Sequence, residues 1–490
     1  MTALYQMHDF MKTHKQLYST VLAATLIFLS GCKMMQPVQH TSSIKSPETF
    51  EGQTDSVGVG AMQWKTFFKD PNLTALIDTA LINNPDLKMA IQRMEMAKTN
   101  ITFATGALFP AVNAEISGGG RKFGDYTMDG VGNYDTNFSE NIDNDRRLPA
   151  PFLPDYFVGF RSTWEVDIWG KLKTQRKAAY TRFLATEKGK HLITTSLIAQ
   201  VSSLYYELLA MDSELAIIQK NINLQQSAVE NIKIQKEGGR ANELGVRQFI
   251  AQLLNTQSLE IQINQRIAEA ENNLNVLLGR FPQRIQRNGN LNENLPERVQ
   301  AGIPSRMLIR RPDIQQAEFD LLANHADLQA ARLAFLPSLN ITGLLGFNAF
   351  KGSLLFNPGS IAYSALGGLA APIFNRRALK SGQKRLEASS IESLYAYNKA
   401  ILTGFQEVST SLKKIENSKK IADFKKQEVE VLQQAVATSR DLFTTGYANY
   451  LEIIAAQKNV LDAELALTEV QKDQHLALIE LYRSLGGGWE

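Results

Sequence analysis

Cys32 is the only cysteine in a chain of 490 residues, and its setting gives it a chemistry. It ends the run Leu29-Ser30-Gly31-Cys32, directly after an apolar stretch from Val21 to Leu29 that Lys12 and Lys15 precede. A positive start, a short apolar core and a small-residue end are the parts of an export signal, and the apolar stretch is too short to cross a bilayer as a helix. Small residues before a cysteine resemble the bacterial lipobox, where the cysteine is diacylated and becomes the new N-terminus. Each buried acyl methylene adds about 0.8 kcal/mol of membrane affinity, and stable anchoring takes more than one chain. The expectation is a signal peptide over 1–31, a lipidation site at Cys32 and a polar tether over 32–60. A start at Met11 gives a more usual leader than one at Met1. Lys33 follows Cys32 where lipoproteins kept at the inner membrane carry Asp, which favours the outer membrane.

The other residues with chemical potential form no constellation. A lone cysteine makes neither an internal disulfide nor a cysteine-rich metal site. The histidines are His8, His14, His40, His191, His325 and His475, and none sits in an H-E-x-x-H or other close pair. Gly170-Lys171 fails as a phosphate loop, because Glu165 stands where the motif needs glycine and Leu172 where it needs Ser or Thr. No G-x-S-x-G occurs. Met89, Met94 and Met96 read as core or interface filling on a helix. Lys413, Lys414, Lys419, Lys420, Lys425 and Lys426, interleaved with Glu416 and Asp423, read as a solvated helix face. A net charge of +3 gives no field for nucleic acid. The reading is therefore of no catalytic residue, no metal, no cofactor and no nucleic-acid partner.

What the chain does contain is a duplicated unit. Pro85 in Asn84-Pro85-Asp86-Leu87 and Pro312 in Arg311-Pro312-Asp313-Ile314 lie 227 residues apart, as do Pro110 and Pro337. Gly239 and Gly446 lie 207 residues apart, as do Gly279 and Gly486. The long loop after Arg121 accounts for the lost 20 residues. Each unit reads helix, strand, loop, strand, long helix, turn, long helix. The strands alternate with period two. Val158, Phe160, Trp164, Val166 and Ile168 alternate with Arg161, Thr163, Glu165 and Asp167, while Val112, Ala114 and Ile116 alternate with Asn113, Glu115 and Ser117. Leu339, Ile341, Leu345 and Phe347 alternate with Asn340, Thr342 and Asn348, and a fourth, Gly- and Ala-rich strand lies near Tyr363 to Ile373. Their length suits tilted strands crossing a bilayer.

From Leu197 the apolar positions step by four and three through Val201, Leu204, Leu208, Met211, Leu215, Ile218 and Ile222, a heptad seam. No proline falls between Lys171 and Glu237, so the helix there reaches about 100 Å. A second helix returns from Ala241 to Leu278. The turns between long helices fall at Gly238-Gly239 and at Gly446. Four strands cannot close a barrel, and an open edge in lipid leaves backbone groups unpaired at several kcal/mol each. Several chains must pool their strands: two would give a narrow eight-stranded barrel, three a twelve-stranded conduit.

The run Ile303-Pro304-Ser305 through Leu308-Ile309-Arg310-Arg311-Pro312-Asp313-Ile314, with Phe335-Leu336-Pro337-Ser338-Leu339, resembles the signature of the TolC-like outer-membrane efflux proteins. It is most similar to their lipoprotein branch, which serves resistance-nodulation-division pumps. Glu165 to Lys171 resembles the family's strand-to-helix junction, and Leu481 to Trp489 its C-terminal motif. The resemblance implies an α+β membrane protein: a homotrimer whose outer-membrane β-barrel, four strands per chain, is continuous with a long periplasmic α-helical barrel. It places one efflux repeat over 61–280, an equatorial segment over 281–302 and a second repeat over 303–490. The implied partners are a periplasmic adaptor, an inner-membrane pump and outer-membrane lipid, with no cofactor.

By the same resemblance the glycine turns mark the periplasmic mouth, where the helices converge. Leu451 and Glu452 in the second unit, and Leu244 and Gly245 in the first, would then line a gate. The family often has a carboxylate at the positions of Glu452 and Gly245, so the glycine leaves a single acidic ring. The plainer alternative is that Leu451 packs in the helix seam and Glu452 is solvated. For the whole chain the competing reading is a lipid-anchored periplasmic coiled-coil adaptor, which would carry one helical hairpin instead of two.

Overall fold

The computed structural model describes residues 47, 58–149, 151–287, 291, 302 and 304–489. The leader, Cys32 and nearly all of the tether lie outside the described residues. After a short helical turn at Trp64–Phe67 the elements are α1 (Pro71–Asn83), α2 (Pro85–Gly106), β1 (Ala111–Arg121), α3 (Met128–Phe138), β2 (Leu153–Val166), α4 (Lys171–Glu237) and α5 (Glu243–Leu277). The second half follows with α6 (Pro304–Arg310), α7 (Pro312–Leu333), β3 (Ser338–Ala349), β4 (Ile361–Ala370), α8 (Arg376–Thr445) and α9 (Tyr450–Ser484). The order helix, strand, strand, long helix, shorter helix occurs twice. The connection from β1 to β2, 122–152, contains α3, whereas that from β3 to β4 is only 350–360, which is where the repeat offset drops.

Proline sets the starts of α2 and α7, where its missing N–H costs nothing. The Asn84 side chain caps α2 by accepting from Leu87 N at 2.9 Å. Two elements differ from the sequence expectation. The ladder of β4 stops at Ala370, opposite Ser338, because Pro372 has no N–H to continue it. Strand β2 stops at Val166, since Asp167 turns away to cap α4, so Ile168 stands outside the strand.

The four strands form one antiparallel sheet in the order β1-β2-β3-β4. Pairs such as Thr163–Thr342 and Phe160–Leu345 fix its register, and β1 and β4 are both left as edges. The long helices carry the rest: α4 packs on α5 and α9, and α8 packs on α9, so α5 and α8 are the outer two of four. The seam of α4 is buried at Leu197, Val201, Leu208, Ile218 and Ile222, and half-buried at Leu204, Met211 and Leu215.

The main core lies between α1, α4, α5 and α9, around Leu73, Ile77, Val201, Tyr205, Leu208, Leu274 and Tyr482. A second cluster joins Met307, Ile314, Ile401, Val408 and Leu485. It brings the two most family-like motifs together. Arg311, 3% exposed, is paired with Asp313 and Glu407 and donates to the Ser484 carbonyl at 2.8 Å. Trp489 Nε1 donates to the Arg310 carbonyl at 3.1 Å. Among the described residues no helix is long and apolar enough to cross a membrane.

Candidate functional site: the strand faces and the helical mouth

The register sorts the side chains of the sheet into two faces. One carries Val112, Ile116, Phe160, Trp164, Ile341, Leu345, Tyr363 and Leu369, and most of these are strongly exposed. The other carries Asn113, Glu115, Ser117, Arg161, Thr163, Asn340, Thr342 and Asn348, with Leu344 and Leu366 among them. On it Arg161 Nε meets Glu115 Oε2 at 2.6 Å across the strands. A sheet with one apolar and one largely polar face, and no layer covering the apolar one among the described residues, has the pattern of a barrel wall between lipid and water.

The joint between wall and helices is built by side chains at its corner. Asp167 accepts from Leu172 N at 3.0 Å and Lys173 N at 2.8 Å, covering two open donors at the start of α4. Gly170 makes the turn at φ +77°. Trp169 Nε1 donates to the Pro337 carbonyl at 2.7 Å, Trp164 Nε1 to the Leu108 carbonyl at 3.0 Å, and Lys171 pairs with Glu165 at 2.6 Å. The sequence showed this run only by resemblance. The bonds explain its residue types.

At the far end of the long helices the two hairpins turn on Gly239 (φ +71°) and Gly446 (φ +84°), while Gly238 keeps a negative φ. Asn242 and Asn449 cap the returning helices. Leu244, Leu451 and Glu452 are exposed. Gly245 is not: it is buried beneath the ring of Tyr450. Sequence reading also missed Glu243, which pairs with Lys236 and Arg247, both at 2.6 Å. Hydrogen bonds from Lys236 and then Arg247 hold its carboxyl below the usual carboxylate range. The acid of the first tip is thereby matched with cations, whereas Glu452 makes no ion pair among the described residues.

Between joint and tip, Arg287 ties α4 to α5 through Asp212 and Glu271. Burial opposes its charge, but the bonds to Asp212 and Glu271 outweigh this and raise its pKa. His475 is buried against Tyr206, ring centroids 4.4 Å apart, and its Nε2 donates to the Leu291 carbonyl at 2.8 Å. No group of three or more potential metal ligands occurs among the described residues.

The family model for outer membrane efflux proteins matches residues 76–280 and 303–487. The chain belongs to the outer membrane efflux protein family. It is 27% identical to the solvent efflux pump outer membrane protein SrpC of Pseudomonas putida, over 95% of this chain and 97% of that one. It is 25% identical to the probable outer membrane lipoprotein SilC of Salmonella typhimurium (95% and 98% covered) and 27% identical to the cation efflux system protein CusC of Escherichia coli (94% and 97% covered). A crystal structure of a membrane protein from Pseudomonas aeruginosa superposes with a TM-score of 0.83 at 25% identity, covering 94% of this chain and 98% of that one. CusC superposes at 0.79 and 24% identity, covering 93% and 100%. The protein is thus an outer-membrane component of an efflux system, with the α+β architecture of that family's channels.

Proposed function

We propose that three copies of this chain close into one export duct: a twelve-stranded barrel in the outer membrane, continuous with a helical tube in the periplasm. The observation that carries this is the sheet itself. It has four strands, two open edges and an uncovered apolar face, a combination lipid does not tolerate in one chain. A head-to-tail ring sets β1 of one copy against β4 of the next. The helices support the same ring, since the outer two carry exposed apolar residues: Leu254, Ile261 and Val276 on α5, and Ile421, Phe424 and Val431 on α8.

The duct takes cargo from a periplasmic adaptor and an inner-membrane pump of the resistance-nodulation-division class, and performs no catalysis. Acyl chains on Cys32 tether it to lipid. Leu451 and Glu452, with Leu244, line the mouth. The relatives' names include solvents, cations and pyoverdine, and the choice among cargoes lies mostly in the pump upstream. In-cell crosslinking followed by purification should recover an adaptor with the chain, and the chain should need detergent even after its lipid is removed. A chain that becomes water-soluble on losing its lipid is the coiled-coil adaptor instead.

A further inference from the structure

Phe157 is a large aromatic side chain on a sheet with no second layer, yet only 6% of it is exposed. In the register it stands between Ser117 and Asn348, on the face of Glu115, Arg161 and Thr163. It is the only aromatic residue on that face of the four strands. Two residues further along, Gly159 pairs with Gly346. A Cβ on Gly159 would lie 2.8 Å from Phe157 Cζ, and one on Gly346 would lie 2.9 Å from Phe157 Cε2. The far edge of the ring therefore fills the space that two side chains would take. Both glycines are also closed to substitution by backbone: their Cβ positions lie 2.5 Å from Gly346 Cα and from Val158 O respectively.

We propose that Phe157 and the glycine pair Gly159–Gly346 set the bore of the barrel just inside its outer opening. The glycines form a seat that holds the ring against the wall, and the ring's position decides the largest solute that passes. Phe157 lies four residues into β2 from the long 122–152 connection, about 13 Å along the strand. In a trimer three such rings stand at one level. Seated, they add little to the wall; lifted, each would project a benzyl group into the lumen. This inference rests on the polar face being the lumen wall.

The test uses Glu115→Cys as a reporter in trimers carrying Cys32→Ser, so that it is the only thiol. Glu115 pairs with Gly159 and so lies two residues deeper than Phe157. Intact cells are treated from outside with a small charged maleimide and with a polyethylene-glycol maleimide, and the labelling rate of the large reagent divided by that of the small one reads the bore. Phe157→Tyr should lower that ratio several-fold, because a hydroxyl on Cζ has no room above Gly159 and lifts the ring. Phe157→Ala should not lower it. An unchanged ratio in the Tyr variant overturns the proposal while leaving the barrel intact. A Phe160→Cys control, on the opposite face, should resist both reagents. If it labels as fast as Cys at 115, the barrel reading fails with the proposal.

Discussion

The ring of Tyr450 closes over Gly245: a Cβ on that glycine would stand 3.2 Å from Tyr450 Cδ1. The first residue of α9 thus packs on the backbone of α5, and the two hairpins touch at their tips. Here the missing carboxylate of the first unit has a physical reason, since there is no space for one. Gly245→Asp should force a charge under an aromatic ring, loosen the tip contact and raise leak conductance in planar bilayers. Gly245→Ala asks the ring to yield by only tenths of an ångström and should change conductance far less.

Leu451 and Glu452 are the exposed groups of the second tip. Leu451→Ser should raise single-channel conductance by weakening apolar closure at the mouth. Glu452→Gln should weaken block by a trivalent cation applied from the periplasmic side, because three like carboxylates in a narrow ring hold multivalent cations. Normal conductance in the first variant and normal block in the second would place the gate elsewhere.

Cys32→Ser should abolish incorporation of labelled fatty acid. The protein should stay in the membrane fraction, since the barrel inserts without the lipid. Label that persists in the variant would remove the lipidation assignment.

His475 makes stability depend on pH. Burial holds its imidazole below the ordinary pKa, against the bond to Leu291. The unfolded chain then binds the proton more readily, so stability is full above the unfolded value, near 6.5, and is lost as pH falls towards the folded one. The loss is at most about 1.4 kcal/mol per pH unit for one group. Glu207 and Glu214, raised by burial, act in the opposite sense as pH rises. Denaturant titrations at pH 7 and 5 should therefore show His475→Gln losing less stability on acidification than the parent. Equal losses would mean that His475 does not titrate in this window.

Much of this was legible before the fold. The proline-free run predicts α4 from Lys171 to Glu237, and the structure has the same bounds. Period-two alternation found the strand faces, because side-chain direction in a strand depends only on register. What stayed hidden depends on contacts between distant segments. The burial of Gly245 needs Tyr450, 205 positions away, and the seat under Phe157 needs Gly346 on another strand. Asp167 looked like part of strand alternation because nothing local says that its carboxylate turns to cap α4.

Native mass spectrometry of the detergent-purified protein tests the pooled barrel most directly. The strand count and the open edges at β1 and β4 require an oligomer, and membership of the efflux family selects three copies, so the expected species lies at three times the mature chain mass. A monomer that inserts into a planar bilayer and conducts would contradict it.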